Sequence, residues 1–168
     1  MSIRKTEKED ISYVMAVIDE AKEYFRHNGI PQWQNGYPNS ETIRSDIENG
    51  NSYVLLKDQT IAGTACIITG NEPNYDVIED GEWLNDEPYA VVHRICISTS
   101  LKGNGYAKEL MEYAETLAKE KGYRNVRADT HELNYSMQRF LQKCGFTACG
   151  RIYVSDHTAR TGYQKILE

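Results

Sequence analysis

The stretch from Val91 to Tyr123 most constrains what this chain can fold into, because it joins a strand pattern, a glycine turn and a helix pattern. The run VVHRICI is rich in β-branched residues and ends at the Ser-Thr-Ser sequence of residues 98–100, which predicts a buried strand. Gly103 and Gly105 follow and predict a tight turn. Apolar residues then recur at three- and four-residue steps and predict one face of a helix: Ala107, Leu110, Met111, Ala114, Leu117 and Ala118.

The glycine turn has the properties of an anion site. Gly103 and Gly105 leave no Cβ in the way of a ligand, and the first amides of the following helix have no partner inside that helix. Such a turn suits a phosphate group, although a plain strand–helix turn with surface glycines is the simpler alternative. A Walker A loop is excluded because Tyr106 and Ala107 follow Gly105, and the dinucleotide fingerprint is excluded because Lys108 replaces its third glycine.

Composition limits the class of protein. A chain of 168 residues predicts one domain over residues 1–168, and its net charge of −6 argues against general nucleic-acid binding. No apolar run approaches a membrane span, and MSIRKTEKED lacks the apolar core of a signal peptide, so we expect no membrane association and a cytoplasmic location. The four cysteines show neither a CxxC pair nor zinc spacing, which predicts buried thiols and no metal.

The remaining patterns predict the element order β-α-α-β-β-β-α-β-α-β-β. Thr6 and Glu9 resemble a capping box before the first helix, and Asn134 is placed to cap the last one. Two strand runs around Asp58-Gln59 predict a hairpin, in which Gly63 indicates a bulge or a close backbone approach. The strand–helix–strand unit from residue 91 to 130 implies a right-handed parallel crossover. The fold class is therefore α/β, a mixed sheet with helices on both faces.

Two segments without periodicity are interpreted in two ways each. Residues 30–39, IPQWQNGYPN, form either the wall of an acceptor pocket or a loop packed on the core by Trp33. Residues 70–88 carry seven acidic residues and no Lys or Arg. This acidic segment is either a solvated excursion or a lid that attracts a cation such as an amine.

The turn residues resemble a known phosphate loop. Lys102-Gly103-Asn104-Gly105-Tyr106-Ala107 is similar to the pyrophosphate loop of the GNAT (Gcn5-related) N-acetyltransferases, Arg/Gln-x-x-Gly-x-Gly/Ala, with Lys102 in place of Arg or Gln. A second segment, Asn134 followed by Leu141 and Lys143-Cys144-Gly145-Phe146, resembles the later family pattern Asn-x-x-Ala-x-x-Leu-Tyr-x-Lys-x-Gly-Phe.

The resemblance implies a fold in which two adjacent parallel strands splay apart and acetyl-CoA lies in the gap as co-substrate. It implies that Ile95 and Ile97 offer backbone groups to the pantetheine arm and that Lys102, Gly103, Asn104, Gly105, Tyr106 and Ala107 hold the pyrophosphate. It also implies that Asn134 contacts the cofactor near the second strand, and it is compatible with a homodimer.

One position departs from the family pattern. Many members have a tyrosine where Leu141 stands, as the acid that protonates the leaving CoA thiolate. Tyr135, Tyr106 or Tyr153 could substitute, or the proton could come from water, and no spacing chooses among them.

Two histidines are candidates for the general base. His93 lies one alternation step before Ile95, which predicts that it faces the same side as Ile95 and Ile97. His131 follows the next strand, with Asp129 or Glu132 near enough in sequence to orient it. An imidazole has a suitable pKa for accepting the proton of an attacking amine; a packed structural histidine is the alternative for each.

The predicted function is N-acetyl transfer from acetyl-CoA to a primary amine on a small cationic or zwitterionic metabolite. One alternative is an acyl-CoA-binding module or sensor with little transferase activity, suggested by Leu141. Another is transfer of a different acyl group, or transfer to an amine on a protein. The acceptor itself is left open by the sequence.

Overall fold

A computed structural model describes all 168 residues and contains one seven-stranded mixed sheet with helices. The strands are β1 (Ser2–Lys5), β2 (Ser52–Lys57), β3 (Thr60–Thr69), β4 (Ala90–Ile97), β5 (Asn125–Thr130), β6 (Thr147–Tyr153) and β7 (Ala159–Ile166). The helices are α1 (Ile11–His27), α2 (Ser40–Glu48), α3 (Tyr106–Glu120) and α4 (Tyr135–Lys143). The predicted element order is confirmed, and the structure adds three short 3-10 turns. None of the helices has the length and apolar character needed to cross a membrane.

The chain divides into two compact units. The first comprises Met1–Ile67 and His93–Tyr113, and the second comprises Ile68–Val92 and Ala114–Glu168. The strands of the sheet follow the order β1-β2-β3-β4-β5-β7-β6. Both β4 and α3 contribute residues to each unit.

In the first unit, the predicted hairpin of β2 and β3 is confirmed. Asp58 and Gln59 form its turn with left-handed backbone angles, and the register shifts between Leu55 and Leu56. Gly63 makes the expected close approach, because a Cβ there would come within 2.4 Å of Ile97 Cδ1. A side chain at residue 63 would therefore displace the Ile97 side chain and press on the Cys96 carbonyl, 3.0 Å away.

The core of this unit joins α1 and α2 to the sheet. Its buried members are Val14, Ile18, Ile43 and Val54, and Trp33 packs against them. The Trp33 ring also meets Phe25 edge-on, with 5.5 Å between ring centroids. The loop at residues 30–39 is thus packed on the core by Trp33, as one of its two interpretations predicts.

The start of α1 differs from the prediction. Thr6 is not the helix cap, because its hydroxyl accepts a hydrogen bond of 2.7 Å from that of Ser52. The Glu7 amide instead donates to Asp10 Oδ2 at 2.8 Å, around a 3-10 turn of Lys8–Asp10. Asp10 rather than Glu9 therefore supplies the carboxylate, because the 3-10 turn displaces the helix start by several residues.

In the second unit, β4 and β5 form the parallel pair of the sheet. Their ladder contains the pairs Ala90–Val126 and Val91–Arg127. On its other side β5 pairs antiparallel with β7, and β7 with β6, which confirms the predicted final hairpin. His157 lies exposed in the turn of that hairpin, as expected.

The acidic segment is packed on this unit and is not a solvated excursion. Glu79 forms an isolated antiparallel bridge with Arg151 of β6, with N···O distances of 2.8 and 2.7 Å. Gly81 permits the contact, because a Cβ there would lie 1.9 Å from the Cys149 carbonyl oxygen. Tyr75 is only 2% exposed. Of the two interpretations of the acidic segment, the solvated excursion is therefore wrong, because Tyr75 and the backbone at residues 79–81 pack on the second unit.

A buried amide network fixes the second half of the acidic segment. The Gln164 side chain donates to Asn125 Oδ1 at 2.9 Å and accepts from the Leu84 amide at 3.0 Å. The Arg127 guanidinium lies between two aromatic rings, 4.1 Å from the Trp83 centroid and 4.0 Å from the Tyr89 centroid. The segment is therefore anchored by polar and cation–π contacts.

Candidate active site

The glycine turn between β4 and α3 forms an open backbone cradle. Gly103 and Gly105 have φ angles of +81° and +82°, and nothing lies within 4 Å of a Cβ built at either. The Glu109 amide donates to the Gly105 carbonyl at 3.1 Å, so α3 starts directly after Gly105. The first amides of α3 lack partners within the helix. The cradle therefore suits an anion of the size of a phosphate.

Side chains fix this loop from two directions. Asn104 Nδ2 donates to the carbonyls of Leu101 at 3.0 Å and of Lys102 at 3.3 Å. From α1, Glu20 Oε2 accepts the Thr99 amide at 2.6 Å. The Asn104 amide is thus used within the loop, and the loop is held to α1.

Lys102, which replaces the family Arg or Gln, is placed over an aromatic ring. Its Nζ lies 4.2 Å from the centroid of Tyr24 on α1. A cation at that distance is attracted by the ring. The positive charge of Lys102 therefore lies against α1, and the open cradle is formed by the backbone of Gly103 and Gly105.

The strand β4 contains a left-handed residue next to the candidate base. Arg94 has a φ angle of +51°. This angle interrupts the alternation of side chains along the strand, so alternation no longer supports a shared face for His93, Ile95 and Ile97; that shared face stays a prediction. Ile97 is 7% exposed, whereas His93 and Ile95 are half-buried.

Arg94 is paired with Asp46 of α2. Its Nε and Nη2 donate to the two carboxylate oxygens at 2.8 and 2.6 Å, and its Nη1 donates to the Tyr37 hydroxyl at 2.6 Å. Burial raises the pKa of Tyr37, so the phenol stays protonated. This cluster was not predicted from the sequence. Its signal was Asp46 itself, which stands among Ile43 and Ile47 on the apolar face of α2.

A second cluster, also not predicted from the sequence, lies at the end of β5. The Tyr75 hydroxyl donates to Asp129 Oδ2 at 2.5 Å. Burial, reinforced by the charge of Asp129, raises the pKa of Tyr75 well above its usual value. Asp129 is therefore oriented by a protonated phenol from the acidic segment.

His131 is held as a neutral imidazole. Its Nδ1 accepts the Leu133 amide at 3.0 Å, which leaves the proton on Nε2. Burial lowers the pKa of His131, and the nearby charge of Arg160 lowers it further. A base acting through Nδ1 would have to give up the hydrogen bond from Leu133.

Asn134 caps α4, as predicted. Its Oδ1 accepts the Met137 amide at 3.2 Å, and its backbone amide donates to the His131 carbonyl at 2.9 Å. The side chain is 4% exposed. Its contact with a cofactor stays a prediction.

The position of the missing family tyrosine lies in the core. Leu141 is 0% exposed, whereas Tyr135 is 59% and Tyr153 39% exposed. The Tyr153 hydroxyl donates to Glu79 Oε2 at 3.2 Å, and Tyr106 is the first residue of α3. None of these contacts selects one tyrosine as an acid.

The predicted site residues divide between the two units. His93, Ile95, Ile97 and the loop at residues 102–107 belong to the first unit, and His131 and Asn134 to the second. The four cysteines are all free thiols, and no cluster of three or more His, Cys, Asp or Glu side chains could hold a metal ion.

Comparisons with known proteins all find acetyltransferases. Residues 14–146 match the model of the Acetyltransferase (GNAT) family. An uncharacterized N-acetyltransferase of Bacillus subtilis (strain 168), YesJ, is 22% identical over 146 residues, which are 84% of this chain and 79% of that protein. The mouse (Mus musculus) N-alpha-acetyltransferase 80 is 26% identical over 102 residues, which are 56% of this chain and 30% of that protein.

Solved structures agree with the family model. The crystal structure of a GNAT-family acetyltransferase from Streptococcus agalactiae 2603 superposes with a TM-score of 0.90 at 36% identity, covering 99% of this chain and 95% of that one. A GNAT-family acetyltransferase from Listeria monocytogenes 4b F2365 gives a TM-score of 0.74 at 23% identity, covering 99% of this chain and 94% of that one.

Proposed function

Because this chain belongs to the GNAT family of acetyltransferases, we propose that it transfers the acetyl group of acetyl-CoA to a primary amine on a small cationic or zwitterionic metabolite. The observation that carries this proposal is the open cradle of Gly103 and Gly105 at the start of α3. We further propose that residues 1–168 act as one transferase domain, since the Streptococcus structure matches 99% of the chain.

In this proposal the loop and β4 bind the co-substrate. The backbone of Lys102 through Ala107 holds the pyrophosphate by its amides, with the α3 dipole favouring the negative charge. The N–H and C=O groups of Ile95 and Ile97 align the pantetheine arm, and Asn134 contributes a contact from the start of α4. When bound, acetyl-CoA supplies a thioester whose carbonyl carbon is attacked by the neutral amine, so that a C–N bond forms and the C–S bond breaks.

The attacking amine must lose one proton, and we propose His93 as the group that accepts it, directly or through water. His131 is the second candidate, because its Nδ1 lone pair already accepts the Leu133 amide. Leu141 cannot donate a proton to the leaving thiolate, so in this proposal the proton comes from water or from Tyr135, Tyr106 or Tyr153. Replacing each histidine with alanine and comparing pH–rate profiles separates the two; a wild-type profile in both variants excludes both.

The acceptor class rests on charge. The net charge of −6 and the acidic segment favour a cationic or zwitterionic amine. The similarity to mouse N-alpha-acetyltransferase 80 is the observation that favours a second candidate, an amine on a protein. A panel of diamines, amino acids, amino sugars and short peptides with free N-termini distinguishes these, with thiol release from acetyl-CoA as the assay.

The cradle itself is tested by Gly105→Val. We expect a rise of about tenfold or more in the Michaelis constant for acetyl-CoA, because a side chain would fill the open space and cannot adopt the left-handed angle easily. Gly29→Val is the matched control: Gly29 has a φ angle of +66° and open space around it, but it ends α1. Equal kinetics in the two variants would contradict the assignment. Tight acetyl-CoA binding without acceptor-dependent thiol release would favour a binding module.

A further inference from the structure

Arg94 combines an unusual backbone with an unusual set of contacts. It has the left-handed angle of +51° inside β4, whereas the other non-glycine residues with positive φ lie in turns and loops: Trp33, Asp58, Gln59, Asp80 and His157. A left-handed arginine in a strand persists only where its surroundings hold it. The ion pair with Asp46 holds Arg94 in this way.

The contact between Arg94 and Asp46 is rigid. It is a two-point pair, with both carboxylate oxygens engaged at 2.8 and 2.6 Å, and the side chains are 13% and 12% exposed. Two parallel charge-assisted hydrogen bonds fix the orientation of the guanidinium as well as its distance. Tyr37 adds a third contact at 2.6 Å, on the other side of the guanidinium.

The carboxylate is itself anchored in the core. Asp46 follows Ile43 by three positions on α2, and Ile43 is 2% exposed in the cluster with Val14 and Ile18. The pair therefore transmits the position of α2 to the backbone of β4 at residue 94. The next residue, Ile95, begins the part of β4 that is proposed to hold the pantetheine arm.

We propose that Arg94 is a positioning residue for acyl transfer: its pair with Asp46 holds the left-handed turn of β4, so that the backbone groups of Ile95 and Ile97 point toward the thioester end of acetyl-CoA. This inference rests on the proposed function. It assigns no contact between Arg94 and the substrate. The guanidinium acts through the strand.

The test compares two ligands on the same variants. In the proposed function acetyl-CoA reaches both the loop and β4, whereas 3′-phosphoadenosine 5′-diphosphate, the nucleotide part of CoA, carries the pyrophosphate but lacks the pantetheine arm. We expect Asp46→Asn and Arg94→Lys to weaken acetyl-CoA binding about tenfold in calorimetry, since small displacements of aligned groups have effects of this size or larger. Binding of 3′-phosphoadenosine 5′-diphosphate should not change.

The same unit offers a matched control. Arg4 and Asp10 form another two-point pair, at 2.7 and 3.1 Å, away from β4. Asp10→Asn should leave the binding of both ligands unchanged. Tyr37→Phe, which removes only the third contact, should give a smaller loss of acetyl-CoA affinity than Asp46→Asn.

A double variant distinguishes the loss of positioning from misfolding. Arg94→Gly with Asp46→Asn leaves no unpaired charge, and glycine accepts the left-handed angle. We expect it to fold and still to bind acetyl-CoA about tenfold more weakly, because β4 is no longer held. Wild-type acetyl-CoA affinity in this double variant, or an equal loss for both ligands in Asp46→Asn, overturns the inference. Absence of acetyl-CoA binding by the wild-type chain would overturn the proposed function instead.

Discussion

The Tyr75 hydroxyl donates a 2.5 Å hydrogen bond to Asp129, a residue 54 positions further along the chain. This contact ties the acidic segment to the end of β5, beside the candidate base His131. Tyr75 is 2% exposed and Asp129 is half-buried, so the hydrogen bond is partly buried. The segment that looked most solvated in the sequence thus orients a carboxylate of the second unit.

Removing this hydroxyl should destabilise the protein. We expect Tyr75→Phe to lower the free energy of unfolding by about 1–3 kcal/mol, because Asp129 loses a donor while the ring packing remains. Urea unfolding measures the change. Tyr153→Phe is the control: its hydroxyl contacts Glu79 on an exposed ring, and its effect should stay below about 0.5 kcal/mol. Equal effects would show that the contact with Asp129 adds nothing.

The close approach at Gly81 should tolerate no side chain. We expect Gly81→Ala to lower the free energy of unfolding by about 2 kcal/mol or more. Its Cβ would overlap the Cys149 carbonyl oxygen, which belongs to the backbone and cannot rotate away as a side chain could. Hydrogen exchange of the Arg151 amide, which donates to Glu79, should accelerate relative to other amides of β6 and β7. Gly122→Ala, at an open left-handed position, should cost about 1 kcal/mol without this local acceleration. Unchanged exchange of Arg151 in Gly81→Ala would contradict the packing of the segment.

The state of His131 predicts a pH dependence. Its pKa lies below the usual value because of burial and the charge of Arg160. The unfolded chain therefore binds the proton more readily, so the contribution of His131 to stability is complete above about pH 6.5 and falls as the pH drops toward the folded pKa.

Arg160→Gln tests this cause. It should raise the pKa of His131, followed by NMR titration of the imidazole Cε1–H. Arg139→Gln, an exposed substitution on α4, should not. A pKa that stays fixed in Arg160→Gln, or that rises equally in both variants, would rule out the charge of Arg160 as a cause.

Restoring the family tyrosine should not restore an acid. Leu141 is 0% exposed, so we expect Leu141→Tyr to lower the free energy of unfolding by about 1–3 kcal/mol through overpacking and a buried hydroxyl. Turnover should not rise. Phe140→Tyr, at a half-buried neighbour, should be milder. Higher turnover in a stable Leu141→Tyr variant would show that the position reaches the leaving thiolate.

Most of the fold was predicted correctly from local patterns in the sequence. The apolar steps of α3 match buried Leu110, Met111, Ala114 and Ala118, and the cap at Asn134 is present. These features depend on residues a few positions apart, and periodicity and capping report such distances directly.

The contacts that shape the candidate site depend on distant residues. Arg94 and Asp46 are 48 positions apart, and the left-handed angle at Arg94 occurs together with their ion pair. No propensity favours that angle for an arginine. Tyr75, the partner of Asp129, is likewise distant, at 54 positions. The left-handed angle at Arg94 also removes the support that strand alternation gave to the placement of His93.

The bridge between Glu79 and Arg151 has a consequence for engineering this chain. β6 is the last strand of the sheet, and an uncovered edge strand offers its backbone groups to any extended chain that meets it. The acidic segment occupies part of that edge with its own backbone and surrounds it with carboxylates. Shortening residues 77–88 would therefore open a template for aggregation, and any such design should place lysine or proline on β6 at the same time.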